Sequence, residues 1–255
     1  MSNVSIPELD SKEYAIISLD QIKERIVPIR YILVDKDKSS IARFIQLDFD
    51  NDVLTVNVNS IDLKFRSKLD ILNENNRLQG TYIVEFDILS STIDASENYF
   101  ILKKSEGELI IDVLNGEVPL QQYDFDPNLY KTLDNLPSKP EYSLDSTQIK
   151  SYIDTISIAL GTVSLASLPE QRRVKGVNNS LYANYGNTLI KITTDLPMDV
   201  SYKSTDLKFL NSLFKNVNPT DIQIYSDKTF VYFNIDYKNL VFAFRKIDTS
   251  DLSFI

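Results

Sequence analysis

Apolar and polar residues alternate along most of this chain, and the alternation predicts a β-rich protein with a few helices. Ala42–Asp50 alternates after Arg43, Asn51-Asp52 interrupts it, and Val53–Val58 resumes it, the pattern of a hairpin. Ile61-Asp62-Leu63-Lys64-Phe65-Arg66 keeps a period of two, which turns one face to a core and sets Asp62, Lys64 and Arg66 toward water. The Asn-rich stretch from Asp70 to Gly80 reads as a loop into a strand over 81–86, then a helix to Asp94 and strands near 99–103, 108–113 and 117–123. Asp124 to Pro140 carries Pro127, Pro137 and Pro140 and no lasting period, which marks a connector. Beyond it the pattern predicts a helix over 145–160, strands near 173–178, 181–185, 188–193 and 198–203, a helix over 205–216, and strands near 221–225, 229–235 and 240–247.

The chain says nearly the same thing twice. Leu19-Asp20-Gln21-Ile22-Lys23 opens one amphipathic stretch and Leu144-Asp145-Ser146-Thr147-Gln148-Ile149-Lys150 opens another, their leucines 125 residues apart. Phe86–Ser91 and Asp206–Asn211 form a second pair, with Leu89 and Leu210 separated by 121. Two landmarks in the same order at similar offsets indicate an internal duplication. The expected fold class is therefore α+β, with two similar domains, each of two strand-helix-three-strand units. The expected boundaries are 1–126 for the first domain, 127–140 for the connector and 141–255 for the second domain.

Composition removes most chemistry. The chain has no Cys and no His, so thiolate nucleophiles, imidazole bases, Ser-His-Asp triads and ordinary zinc sites are excluded. Carboxylate-only sites survive, but 36 acidic residues make chance Asp/Glu pairs abundant, and exposed carboxylates are the usual case. The expectation is a non-enzymatic protein without cofactor or metal. No apolar run approaches the roughly 18 residues of a membrane span, and Met1-Ser2-Asn3-Val4-Ser5 does not read as a signal peptide. A cytoplasmic protein is expected, with no membrane partner; the Asn-, Lys- and Ile-rich vocabulary suits an AT-rich genome such as a phage's, in which case the compartment is the bacterial host cytoplasm.

The net charge of −9 is unevenly spread: residues 1–135 hold 14 Lys/Arg against 24 Asp/Glu. Bulk acidity argues against a protein that coats nucleic acid with its whole surface, while leaving room for a local basic face. Such a face is present in the second half, where Leu207, Leu210 and Phe214 share one side of a helix and Lys208, Asn211 and Lys215 share the other. Lys23 and Arg30 are also seven apart, although Pro28 ends that helix early and is expected to leave Arg30 on a loop. In the longest helix Ile149, Ile153, Ile156 and Leu160 share a face and Lys150 lies beside it. Each of these cations equally suits a plain solvated helix face, and the stretch Asp87–Asp94 has two Asp and no base.

Two domains of two such units each resemble the DNA polymerase sliding clamps, over roughly residues 14 to 247. In that family two-domain subunits close into trimeric rings, as in proliferating cell nuclear antigen and the T4-type phage clamps, and three-domain bacterial subunits form dimers. Gln171-Arg172-Arg173-Val174-Lys175-Gly176-Val177 is similar to the arginine-then-glycine stretch of the bacterial clamps. Thr193-Thr194-Asp195 stands where they carry a Thr-Asp turn, and Leu207-Lys208-Phe209-Leu210 resembles their final unit.

The resemblance implies a processivity factor that encircles double-stranded DNA without regard to sequence and tethers a DNA polymerase, with a clamp loader and two further copies of itself as partners. It implies that Lys23, Arg30, Lys150, Lys208 and Lys215 meet phosphates. It places the ring joint at the edge strands Glu117–Tyr123 and Thr188–Thr194, with Lys191 inside the joint. It places a peptide-binding pocket at Tyr123, Phe125, Leu129 and Tyr130 of the connector and at Ile247, Leu252 and Phe254 near the C-terminus. The tail Ser250–Ile255 itself resembles a clamp-binding peptide and equally suits an apolar cap. Two other readings stay open, a duplicated β-rich structural or assembly protein of a virus particle and a clamp-derived transcription accessory factor.

Overall fold

The computed structural model describes residues 13–33, 43–60, 63–75, 77–114, 116–130, 133, 135–164, 173–177, 180–185, 188–193 and 201–246. The chain divides into two compact units, Met1–Ser60 with Lys64–Asp134, and Ile61–Leu63 with Asn135–Ile255. The first unit runs β1 (Glu13–Ser18), α1 (Leu19–Arg25), the one-turn α2 (Arg30–Leu33), β2 (Phe44–Asp50), β3 (Val53–Asn59), β4 (Leu63–Asp70), β5 (Gly80–Glu85), α3 (Phe86–Ile93), β6 (Tyr99–Ser105), β7 (Glu108–Val113) and β8 (Gly116–Leu120). The second unit repeats the order: β9 (Tyr142–Asp145), α4 (Ser146–Ser164), β10 (Arg173–Val177), β11 (Ser180–Tyr185), β12 (Thr188–Thr193), β13 (Ser201–Lys203), α5 (Ser204–Val217), β14 (Asp221–Ser226), β15 (Phe230–Ile235) and β16 (Leu240–Arg245).

Within each unit the two strand-helix-three-strand repeats exchange their first strands. β1 pairs antiparallel with β6, the first strand of the other repeat's meander, while β5 pairs with β2. The second unit does the same, β9 with β14 and β13 with β10. Each meander is thus completed by a strand from the sister repeat, so neither repeat owns a finished sheet.

Helix faces follow the spacing of apolar residues. On α5 Leu207, Phe209, Leu210, Leu213, Phe214 and Val217 are buried, and α3 buries Phe86, Leu89, Thr92 and Ile93. α4 begins with reciprocal capping: Asp145 Oδ1 accepts from the amides of Thr147 and Gln148 at 2.9 Å, and the Asp145 amide donates to Gln148 Oε1 at 3.1 Å. That motif accounts for part of the duplicated wording in the sequence, but α1 uses it differently. There Ser18 makes no side-chain cap, and Gln21 instead reaches Asp70, accepting from its amide at 3.1 Å. The core of the second unit is aromatic, with Phe242 ringed by Phe209, Phe214, Phe233 and Phe244 at centroid distances of 5.7, 6.1, 4.9 and 5.9 Å.

Several boundaries differ from those the pattern suggests. β4 continues to Asp70 because Phe65, Ser67 and Leu69 stay buried, and Lys64 and Arg66 are half-buried rather than fully in water. β8 stops at Leu120, although Gln122 still bridges to Val84. α1 ends before Pro28, but Arg30 opens α2 instead of sitting on a loop. α4 extends to Ser164, and its buried face is Ile149, Tyr152, Ile156 and Ala159, with Ile153 and Leu160 only half-buried. β13 begins at Ser201, and Met198–Val200 lie outside the described residues, as do Ile61 and Asp62.

The outer edge of β1 is sealed by the loop between β4 and β5. Asn73 is buried there: its Oδ1 accepts from the Ile16 amide at 2.9 Å, and its Nδ2 donates to the carbonyls of Tyr14 at 3.1 Å and Asn75 at 2.8 Å. The amides of Leu72 and Leu78 donate to the carbonyls of Ile16 and Tyr14 at 2.8 and 2.9 Å. An edge that would invite another strand is thereby closed by its own chain.

Candidate functional site

The second unit gathers three of the five candidate cations on one surface. Lys208, Asn211 and Lys215 lie at i, i+3 and i+7 of α5, the two lysines exposed and Asn211 half-buried. On α4, Lys150, Asp154, Ser157 and Gly161 form an exposed stripe of the same kind. The two stripes meet where Ser157 Oγ donates to Asn211 Oδ1 at 3.1 Å. Lys150, Lys208 and Lys215 are in no ion pair among the described residues, so their charge is available to a ligand. The sequence pattern points to the lysines and to Asn211 between them; it does not point to Ser157, which joins α4 to α5 through Asn211 and carries no charge.

The first unit holds the other two cations in poorer company. Lys23 is exposed on α1 beside exposed Asp20 and half-buried Glu24, and Arg30 is exposed with its guanidinium 5.4 Å from the ring of Tyr31. Arg25, a third base on α1, donates Nη1 to the Lys68 carbonyl at 2.7 Å and is therefore committed to its own fold. On α3 the exposed residues are Asp87 and Ser91, and Asp94, exposed at the helix's C-terminal cap, continues their line.

The candidate joint strands are both sheet ends. β8 closes the order β1-β6-β7-β8, and β12 opens the order β12-β11-β10-β13. Lys191 is exposed on β12, its Nζ 5.9 Å from the Tyr182 ring. On β8, Glu117 is tied into its own sheet: Lys103 Nζ donates to Glu117 at 2.6 Å and to Asp112 at 3.1 Å. The Glu117 hydrogen bond raises the Lys103 ammonium above its ordinary range, and Asp112 adds to it.

The connector's aromatics lie across the polar face of the β5-β2-β3-β4 sheet. The ring of Phe44 stands 4.5 Å from Tyr123 and 5.0 Å from Phe125, and the latter two are parallel at 6.1 Å. The Tyr123 amide donates to the Ile83 carbonyl at 2.9 Å, and Asn59 Nδ2 donates to the Leu129 carbonyl at 2.6 Å. By strand register Phe44 and Asn59 are neighbours, so the segment crosses the strands rather than following them. Gln46 and Asn57, paired with each other on the same polar face, are buried as well.

Leu129 is 40% exposed, whereas Tyr130 is 1% exposed and belongs to the core, its hydroxyl pushed up to about 12 by burial. Tyr130 therefore offers no surface to a partner in this conformation. Ile247, Leu252 and Phe254 lie outside the described residues. Sequence reading missed Phe44, and its signal was present: an aromatic opening the polar side of the alternation that continues through Gln46 and Asp48.

No protein-family model and no curated protein sequence matches the chain. Solved structures do. The β subunit of DNA polymerase III from Thermotoga maritima is similar with a TM-score of 0.68 at 11% identity, covering 92% of this chain and 65% of its own. The DNA polymerase sliding clamp of Bacillus subtilis gives 0.61 at 17% identity, with 92% and 64% covered. The DnaN sliding clamp of Bartonella birtlesii, solved bound to griselimycin, gives 0.66 at 15% identity, with 92% and 65% covered. The chain has the α+β duplicated sliding-clamp fold, and it spans just under two thirds of the length of these three structures.

Proposed function

We propose that this chain is a DNA polymerase processivity factor, a non-enzymatic sliding clamp that encircles duplex DNA in the cytoplasm and tethers the replicative polymerase. The observation that carries this reading is the clamp fold over 92% of the chain, combined with the joined basic stripes of α4 and α5. Lysines on a helix surface make salt-sensitive phosphate contacts that carry no sequence information, which is what sliding requires. Residues 127–140 would serve as the connector between domains 1–126 and 141–255, and Tyr123, Phe125 and Leu129 would contribute to the polymerase-binding site. A clamp loader would open the ring.

The ring is proposed to be a homotrimer. A chain that matches 65% of a bacterial clamp subunit supplies two domains where that subunit has three, so a six-domain ring takes three copies instead of two. Its joint would pair β8 of one copy with β12 of the next, since both are sheet ends while the β1 edge is sealed. The test is primer extension on a singly primed circle by the replicative polymerase of the same genome, at raised salt and with excess unlabelled template as trap. Longer products in the presence of the chain support the reading; unchanged product lengths with polymerase and loader present refute it.

A further inference from the structure

The two units carry opposite charge at equivalent positions of their second helices. α3 and α5 occupy the same place in the repeated order, and a shift of 121 residues superposes their buried faces: Phe86 on Leu207, Leu89 on Leu210, Thr92 on Leu213 and Ile93 on Phe214. The same shift sets exposed Asp87 on exposed Lys208, and exposed Asp94 on exposed Lys215. The packing side of the helix is kept while the solvent side is reversed in sign at both charged positions. The first helices do not restore the balance, because Lys23, the equivalent of Lys150, has Asp20 and Glu24 beside it and Arg25 is held by the Lys68 carbonyl.

Resting on the clamp reading above, we infer that duplex DNA is held by the helices of the second unit and kept off those of the first. Phosphates find Lys150, Lys208 and Lys215 on the α4–α5 surface, where Asp154 is the one exposed acid among the described residues of the two stripes. At α3 they meet Asp87 and Asp94, and like charges at close range repel. In a ring of identical copies the contacts then recur once per subunit instead of once per domain. Such sparse contact suits a clamp that slides at moderate salt.

The test measures fluorescence anisotropy of a labelled linear duplex with the full chain between 50 and 200 mM salt. Each phosphate contact contributes about 0.9 to the slope of log affinity against log salt. Lys208→Glu with Lys215→Glu is expected to lower the slope by about two and the affinity at 50 mM by at least about tenfold. Asp87→Lys with Asp94→Lys is expected to raise both, and Lys23→Glu with Arg30→Glu to change affinity less than about threefold. All substituted side chains are exposed, so melting temperatures stay near wild type, which shows that the variants are folded.

Unchanged slope and affinity in the Asp87/Asp94 variant would overturn the inference, as would equal losses from the two glutamate pairs. So would tighter binding of a basic peptide than of DNA to wild type that is lost with Asp87→Lys and Asp94→Lys, since α3 would then be a protein-docking stripe. Failure of the clamp reading looks different. In that case polymerase products stay short while the duplex affinities still rank as stated.

Discussion

Replacing Asn73 by Ala removes the residue that seals β1, and the structure sets the size of the effect. Three hydrogen bonds disappear, those to the Ile16 amide and to the carbonyls of Tyr14 and Asn75. At about 1 kcal/mol net per bond the loss is about 3 kcal/mol, and leaving the buried Ile16 amide unmet adds about 1 kcal/mol at the low end of that penalty. Asn73→Asp keeps the acceptor for the Ile16 amide but sets a buried carboxylate against the Tyr14 and Asn75 carbonyls, so it is expected to be no more stable than Ala. For a unit of this size a total near 4 kcal/mol lowers the melting temperature by roughly 10–15 °C, read by calorimetry. Loss of the seal also bares a strand edge, so the Ala variant is expected to form heterogeneous larger species in size-exclusion chromatography. A shift below about 3 °C, with an unchanged elution profile, refutes the view that Asn73 closes this edge.

Asp227 accepts from the amides of Thr229 and Phe230 and, at 2.5 Å, from the Tyr232 hydroxyl. Burial works to raise its carboxyl, yet these bonds and Lys246 outweigh it and hold it below its ordinary 3.8. Its contribution is therefore complete above pH 3.8 and lost as pH falls below that value toward the folded one, so Asp227→Asn should flatten the acid limb of stability; a limb identical to wild type refutes this. Phe242→Ala, at a side chain 0% exposed among four rings, is expected to cost about 4 kcal/mol, with Phe242→Leu well under half of that; equal melting temperatures would contradict the packing described. Phe125→Ala removes one ring of the Phe44–Tyr123–Phe125 group and should weaken polymerase binding several-fold by isothermal titration; unchanged affinity would move the partner site away from the connector.

The element order was legible because most strands have one polar and one apolar face. β1 escaped that test because Tyr14-Ala15-Ile16-Ile17 is buried on both faces, so it shows an apolar run instead of alternation. β9 is four residues long and too short to show a period. The exchange of strands between repeats is a non-local pairing that no local pattern encodes. At the candidate site the exposed lysines were legible from helical spacing alone. The burial of Tyr130 was not legible, because it depends on where the connector lies against β3, a non-local contact. The charge reversal between α3 and α5 was present in the sequence, but it gained meaning only when the buried faces superposed at the same shift.

Light scattering on the eluting protein tests for a ring of three two-domain subunits and needs neither polymerase nor loader. A species of three times 29.2 kDa, about 88 kDa, is expected at tens of micromolar protein, with a loosened assembly when Lys191 on the β12 edge is reversed to Glu. A single species at 29.2 kDa across that concentration range, with the chain folded, would contradict it.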